Sequence, residues 1–179
     1  MYVECKRKKR NDWIIRLTEH IKANKNCTYV TLTFSEESIK NLNLRIHKNI
    51  TGYERENAIA TLAVRNFTER WRKKYKKTLK HWLITELGTT RTERIHLHGI
   101  VESKNIKDIE EKWSYGYVKC GTYVNEKTIA YITKYMLKTD IKHKTYKPVI
   151  LASKGIGKAY INTAAAQARK FNGEKTTTG

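Results

Sequence analysis

Hydrophobic residues recur along the chain in two patterns, at the period of about 3.6 residues of a helix and at the two-residue period of a strand. The first pattern predicts helices from Asn11 onward and over 54–77, 104–112, 126–138 and 157–171. The second predicts strands over 27–34, 81–87 and 94–102, and a hairpin or bent pair over 113–124, because these segments are rich in β-branched and aromatic residues. Residues 35–53 stay ambiguous.

These segments follow one another without a linker or a repeat, so we expect one α+β domain over residues 1–172 and a flexible tail over 173–179. With 179 residues, 39% of them hydrophobic, the chain is long enough for a sizeable core. It has no apolar run near the roughly 20 residues of a membrane span, and no apolar signal core. Three cysteines without metal-ligand spacing are expected to be free thiols, which favours a reducing cytoplasm.

The net charge of +20 is the strongest compositional signal. Lysine and arginine neutralise phosphates and release counterions, so this charge favours a nucleic acid partner over an anionic membrane. A soluble protein with a charged face is the plain alternative. The residues that we assign to DNA binding are Lys73, Lys74, Lys77, Lys142, Lys144, Lys154 and Lys158. The first three end the long helix, where a solvated cluster favoured by the helix dipole is an equally good interpretation.

Two histidines and a carboxylate form the first candidate site. His96 and His98 are two residues apart in a predicted strand, so both side chains lie on one face and can close on one metal ion. If the strands over 81–87 and 94–102 pair with Glu86 opposite His96, the carboxylate supplies a third ligand. This set suits Mg²⁺ or Mn²⁺, although zinc or another first-row metal stays open. Glu93 is a weaker rival, because it lies in the predicted loop.

Two tyrosines on the predicted helix over 126–138 form the second candidate site. Tyr131 and Tyr135 lie about 40° apart around an α-helix, near the side opposite its apolar stripe. Lys134 and Lys138 lie on or beside the same polar face. A phenol needs a cationic or metal neighbour to react near neutrality, so these residues make a plausible pair of nucleophiles. Two amphipathic tyrosines with solvated hydroxyls are the alternative.

Together the two sites resemble those of the HUH endonucleases, which are named for two histidines flanking a bulky hydrophobic residue. The similarity is greatest to the rolling-circle replication initiators of microviruses, the small single-stranded DNA phages. Four segments carry the resemblance in the expected order: 13–17 with 29–34, Glu86 to Gly99, Tyr131 to Tyr135, and Ser153 to Lys158. Such relatives carry a cluster of N-terminal cysteines, whereas this chain has only Cys5 there, so we expect no zinc knuckle.

The resemblance implies the HUH endonuclease fold, a central antiparallel sheet of about five strands flanked by helices. It implies that Glu86, His96 and His98 hold a divalent metal ion, Mg²⁺ or Mn²⁺, at the scissile phosphate. The substrate is then single-stranded origin DNA, which a hairpin can present. Host replication proteins such as helicase and polymerase are the expected partners, in the cytoplasm of a bacterial host, and no membrane is involved.

The same resemblance implies the reaction. One tyrosine, Tyr131 or Tyr135, attacks phosphorus and leaves a 5′-phosphotyrosine bond and a free 3′-hydroxyl that primes synthesis. The other attacks the regenerated junction after one round, so that the released strand closes into a circle. Lys134 or Lys138 lowers the phenol pKa or steadies the phosphate. The spacing of the tyrosines does not say which acts first.

Two alternatives stay open. A basic DNA-binding protein without catalysis explains the charge equally well, but not the coincidence of three ligands with two tyrosines. A plasmid initiator, a relaxase or a transposase would use the same chemistry for another task. The segment Lys154 to Lys158 lacks the spacing of a nucleotide-binding loop, so it gives no sign of a helicase.

Overall fold

The structure is a computed structural model that describes residues 2–88, 93–138, 142–158, 160, 163–164 and 166–168. Within these residues the helices are α1 (Tyr2–Ala23), α2 (Glu36–Asn43), α3 (Gly52–Tyr75), α4 (Ile106–Trp113) and α5 (Glu126–Thr133). The strands are β1 (Cys27–Leu32), β2 (His81–Leu87), β3 (Ile95–Glu102), β4 (Val118–Gly121) and β5 (Ile150–Ala152). A 3₁₀ turn, Lys134–Met136, directly continues α5.

The strands of the described residues form one antiparallel sheet in the order β4-β1-β3-β2-β5. The α+β class, with a five-stranded antiparallel sheet flanked by helices, is therefore confirmed. The predicted strands over 81–87 and 94–102 are confirmed as β2 and β3, almost to the residue. Because β3 lies at the centre of the sheet, its histidines are held by a strand on each side.

Alternating side chains give the sheet two separate apolar faces. On one face, the buried stripe of α3 packs with α2 and α4 in a cluster that includes Leu83, Leu97 and Val101. On the other, α1 and α5 pack over Trp82, Ile84 and Ile100. The two faces are sampled by alternate residues of the same strands, so the register of β2 and β3 decides which residues face α5.

Gly99 allows β2 and β3 to approach closely. A Cβ atom at this position would lie only 2.0 Å from the Trp82 carbonyl oxygen and 2.9 Å from the Leu83 Cα. Backbone atoms cannot move aside as the end of a long side chain can. The residue after His98 must therefore lack a side chain for this pair of strands to form.

The beginning of α1 differs from the prediction. The helix begins at Tyr2 and continues through Asn11, where we had placed its N-terminal cap. The added turns are mainly lysine and arginine, which are good helix formers, and no glycine or proline interrupts them. Asn11 and Asp12 are exposed residues within the helix rather than at its start.

Two further segments are clearer in the structure than in the sequence. The ambiguous stretch 35–53 contains α2, whose N-cap Ser35 accepts a hydrogen bond from the Ser38 backbone N–H at 3.1 Å. The predicted strand pair over 113–124 is wrong, because Trp113 ends α4 and only β4 follows. This strand pairs with β1 rather than with a second strand of its own segment.

The end of the chain allows fewer statements. The helix that we predict over 157–171 falls largely outside the described residues, and the predicted flexible tail, 173–179, falls wholly outside them. The single-domain boundary at residue 172 stays a prediction. Among the described helices, none has the length and apolar character that crossing a bilayer requires.

Candidate metal and tyrosine site

The pairing of β2 with β3 brings the predicted metal ligands together. Glu86 lies directly opposite His96, and Ile84 lies opposite His98, as the alternation pattern predicted. Because alternate residues of a strand point to one face, the three polar side chains share the face covered by α1 and α5. The register on which the third ligand depended is therefore confirmed.

Both imidazoles converge on one carboxylate oxygen. The Nε2 atom of His96 lies 3.0 Å from Oε2 of Glu86, and Nε2 of His98 lies 2.8 Å from the same oxygen. One donor atom from each residue falls within 4.8 Å of the other two. Two ligands at right angles around an ion at about 2.1 Å lie about 3.0 Å apart. The cluster can therefore hold a metal ion, and nitrogen and oxygen donors suit several divalent metals.

A second set of contacts orients the histidine rings. Nδ1 of His96 donates a hydrogen bond to the Arg94 carbonyl oxygen at 3.2 Å. Nδ1 of His98 lies 3.2 Å from the Thr31 hydroxyl and 3.3 Å from the Tyr29 hydroxyl. With Nδ1 engaged in both rings, Nε2 is the nitrogen that is directed at the ion, which is how outer partners usually fix metal-binding histidines.

Sequence reasoning did not assign these roles to β1. Tyr29 and Thr31 belong to a segment that we quoted for its resemblance to relatives, not for contacts with a histidine. Their spacing held the signal, because alternate residues of β1 face the same side as the histidines of β3 once the two strands pair. What the sequence lacked was the knowledge that β1 and β3 are neighbours.

The protonation states suit metal binding. Burial raises the pKa of the Glu86 carboxyl, but hydrogen bonds from the two histidines and from Lys138 outweigh it and hold that pKa well below its usual range. Burial lowers the pKa of His98, and hydrogen bonding to Glu86 offsets this only in part. Near neutrality the site therefore favours an ionised carboxylate and, at His98, a neutral imidazole, which are the forms that bind metals.

The rival carboxylate lies outside this cluster. Glu93 forms an ion pair with Lys142, and its other oxygen lies 3.8 Å from Nε2 of His143. His143 in turn contacts the Tyr53 hydroxyl at 2.9 Å. Glu93 is therefore held by groups near the loop and does not join Glu86.

The two tyrosines lie beside the ligands, but they differ in exposure. The Tyr135 hydroxyl donates a hydrogen bond to the Tyr131 hydroxyl at 2.9 Å. Tyr131 is 41% exposed, whereas Tyr135 is 6% exposed and its ring stacks on His98. The prediction that both tyrosines lie away from the core is therefore wrong for Tyr135. The helix tightens to a 3₁₀ turn at 134–136, and the larger rotation per residue turns this side chain toward the sheet.

The two lysines make different contacts. The Lys134 ammonium lies 3.9 Å from the centre of the Tyr131 ring. Lys138 forms an ion pair with Oε1 of Glu86, so it belongs to the cluster of ligands. Neither lowers the pKa of Tyr135 overall, contrary to expectation, because burial and the nearby Tyr131 and Glu86 raise it.

The end of α3 does not reach the site. Lys73, Lys74 and Lys77 follow Trp71, which packs in the apolar cluster on the opposite face of the sheet. Lys74 donates a hydrogen bond of 2.7 Å to the buried carboxylate of Asp108 in α4. Helix α4 follows the end of β3, which is about 20 Å along the strand from His96. Any DNA contact by these lysines is therefore remote from the ligands.

The remaining predicted DNA-binding lysines fall into two groups. Lys154 and Lys158 follow β5 near the start of β2, where Lys80 donates to the Lys154 carbonyl oxygen at 2.8 Å. That end of β2 is about 20 Å from Glu86. Lys142 and Lys144 lie instead on the exposed segment beside His143, near the end of the sheet that holds the ligands. Their binding of DNA stays a prediction.

Comparison with known proteins adds a family to this geometry. A model of the replication-associated protein ORF2 family matches residues 27–140, which include both histidines, Glu86 and both tyrosines. Searches among curated proteins and among solved structures found no match. The matched stretch begins at the first residue of β1 and covers more than half of the 179 residues. The chain therefore belongs to the replication-associated protein ORF2 family.

Proposed function

We propose that the protein is a site-specific, single-stranded DNA endonuclease and strand transferase that initiates rolling-circle replication. Family membership supports a replication initiator role. The observation that carries the enzymatic part is the hydrogen-bonded pair Tyr131 and Tyr135 beside the three converging ligands. A protein that only binds DNA has no need of nucleophiles at a metal site.

The metal ion in this proposal is Mg²⁺ or Mn²⁺, held by Glu86, His96 and His98. One carboxylate and two imidazoles leave positions open for phosphate oxygens. When bound, the metal polarises the scissile phosphate and offsets the negative charge that grows on it. Lys138 keeps the carboxylate in place through its ion pair with Glu86.

Tyr131 is the first nucleophile in this mechanism, because its hydroxyl is open to solvent and accepts the hydrogen bond from Tyr135. Its oxygen forms a bond to phosphorus, and the bond between phosphorus and the 3′ oxygen breaks. The phenol loses a proton and the leaving 3′ oxygen gains one. The Lys134 ammonium, which lies over the Tyr131 ring, steadies the phosphate. The products are a 5′-phosphotyrosine and a 3′-hydroxyl that primes synthesis.

Tyr135 acts in the second transfer. After one round of synthesis its hydroxyl attacks the regenerated junction, and the released 3′-hydroxyl then attacks the first phosphotyrosine to close a circle. Each step exchanges one phosphodiester bond for another, so no nucleoside triphosphate is needed.

The narrower assignments belong to the same proposal. We place the chain among the HUH endonucleases, with the initiators of microviruses as its relatives and the bacterial cytoplasm as its location. Its substrate is single-stranded origin DNA, presented by a hairpin, and a host helicase and polymerase use the free 3′ end. Phosphates outside the catalytic centre are contacted by Lys73, Lys77, Lys142, Lys144, Lys154 and Lys158.

A covalent adduct assay tests this function. The protein is incubated with Mn²⁺ and a labelled single-stranded library that includes candidate origin sequences, and the products are separated in SDS. We expect labelled protein for the wild type and none for the Tyr131→Phe/Tyr135→Phe variant. If DNA binds tightly but the wild type forms no adduct, the protein is a DNA-binding protein without this activity. An adduct with the double variant would also contradict the proposal.

A further inference from the structure

The exposed edge of the sheet, strand β4, continues the face on which the metal ligands lie. Thr31 of β1 is paired with His98 on one side and with Lys119 of β4 on the other. Directly paired residues share a face, so Lys119 projects on the same side as His98. Two strand spacings, about 10 Å, separate the backbones of these two residues.

Tyr117 extends this row at one end. Its carbonyl oxygen accepts hydrogen bonds from the Thr33 backbone N–H at 3.0 Å and from the Thr33 hydroxyl at 2.8 Å. The antiparallel register therefore continues one step beyond β4 and puts Tyr117 on the same face as Lys119. The Tyr117 side chain is 74% exposed. A large ring left in water at the edge of a functional face is a common mark of a binding surface.

Tyr123 lies at the other end of β4. Its side chain is 82% exposed and lines a cavity of about 560 Å³ between the end of α1, the start of β1 and the start of α5. Since α1 and α5 both cover the face that carries the ligands, this cavity opens on that face. Between the two tyrosines, Gly121 leaves the strand low against Tyr29.

The surroundings of this edge are basic. The cavity beside Tyr123 is lined by Lys22, Lys25, Lys104 and Lys127. Lys22 forms ion pairs with Glu19 and Glu126, and Lys104 donates to the Cys27 and Thr122 carbonyl oxygens. Within the described part of the chain, Lys25, Lys119 and Lys127 have no salt-bridge partner. Their charge is therefore available to a polyanion.

We propose that this β4 edge, defined by Tyr117, Lys119 and Tyr123, binds the single-stranded DNA on one side of the scissile phosphate. Bases stack on the two exposed tyrosine rings, while Lys119, Lys25 and Lys127 neutralise the backbone. Stacking on aromatic rings combined with a basic track is the general means of holding a single strand, because every base has a flat face. The inference rests on the proposed function for the identity of the ligand.

Charge favours DNA over a protein strand as the occupant of this edge. A strand added by a partner protein would pair with the backbone of β4, which is only four residues long. The exposed groups here are instead rings and ammonium groups, on a chain with a net charge of +20. These are the groups that a phosphate backbone with unpaired bases matches.

Binding can be measured apart from chemistry, by fluorescence anisotropy of a labelled oligonucleotide in EDTA. We expect Tyr117→Ala/Tyr123→Ala to raise Kd at least about tenfold. The Tyr117→Phe/Tyr123→Phe variant, which keeps the rings, should bind within about twofold of the wild type. Lys119→Ala should reduce the slope of log Kd against log salt by about 0.7, and the alanine pair should leave that slope unchanged.

Leu44→Ala is the matched control, because Leu44 is 85% exposed but ends α2 on the opposite side of the sheet. If the alanine pair binds the oligonucleotide as tightly as Leu44→Ala does, the inference is wrong and the edge serves another partner, such as a protein strand. The adduct assay on the wild type is read separately. Tyrosine-dependent binding without an adduct supports this surface while refuting the endonuclease, and an adduct with unaffected binding does the reverse.

Discussion

The ring of Tyr135 lies parallel to the imidazole of His98, with the two ring centroids 4.4 Å apart. Tyr131, one helical turn earlier, is instead open to solvent and meets the same imidazole edge-on at 6.3 Å. The two phenols therefore stand in different relations to the metal ligands, although four residues separate them. This difference gives them different expected roles.

Removing one hydroxyl at a time separates these roles. Tyr131→Phe should slow the first cleavage at least about 100-fold, because it removes the accessible nucleophile. Tyr135→Phe keeps the stacked ring and should retain first cleavage within about tenfold, but lose strand transfer. Single-turnover adduct formation and a circularisation assay measure the two steps. The reverse result, with Tyr135 needed first, would overturn the order that we propose.

Loss of a histidine ligand should abolish nicking without abolishing DNA binding. His96→Ala or His98→Ala removes one of three donors from the cluster, so Mn²⁺ binding measured by calorimetry should weaken at least about tenfold. Salt-sensitive DNA binding should persist, since it depends on lysines elsewhere. Glu93→Gln is the control, because that carboxylate pairs with Lys142 outside the cluster. Wild-type cleavage by either histidine variant is incompatible with the metal assignment.

The hydroxyl of Thr31 should affect metal affinity although it does not touch the metal. Thr31→Val removes the hydroxyl that lies 3.2 Å from Nδ1 of His98 while keeping the shape of the side chain. We expect Mn²⁺ affinity to fall by about tenfold or more. Thr33→Val is a matched control on the same edge of β1, because its hydroxyl donates to the Tyr117 carbonyl oxygen instead. Equal affinities for the two variants would show that Thr31 does not orient His98.

Gly99 should be far less tolerant of a side chain than Gly121. In Gly99→Ala the new Cβ meets the Trp82 carbonyl oxygen at 2.0 Å, so β2 and β3 must separate and the free energy of unfolding should fall by several kcal/mol, on the order of 3. In Gly121→Ala the nearest atom is a Tyr29 ring carbon at 3.4 Å, an ordinary contact. Urea unfolding of both variants makes the comparison. Similar losses at the two positions would contradict the close strand approach.

The parts of the site that depend on strand alternation could be predicted from the sequence. Glu86, His96 and His98 fall on one face because the period of a strand is fixed, and the short connection between β2 and β3 left few registers. The orientation of Tyr135 could not be predicted, since it depends on a change from α to 3₁₀ geometry within one turn. A regular helix was the simplest assumption, and it failed at the last turn.

Contacts between distant segments were also beyond the sequence. Lys74 looked like a phosphate ligand, yet it bonds to the buried carboxylate of Asp108, 34 residues later in the chain. Nothing near Lys74 indicates that partner, because the pair exists only once α3 and α4 pack together. The contact of Thr31 with His98 likewise required the strand order of the sheet. Local periodicity predicts faces, whereas these pairs depend on which faces meet.

The polarity of the covalent product decides whether this chemistry occurs. Attack by a tyrosine on phosphorus with loss of the 3′ oxygen leaves the protein on the 5′ end of the downstream fragment. Wild-type protein with Mn²⁺ should therefore retain a label placed at the 3′ end of the oligonucleotide and release one placed at the 5′ end. Mass spectrometry of the digested adduct should then locate the nucleotide on Tyr131. Retention of the 5′ label, or a nucleotide attached outside residues 131–135, would contradict the proposed mechanism.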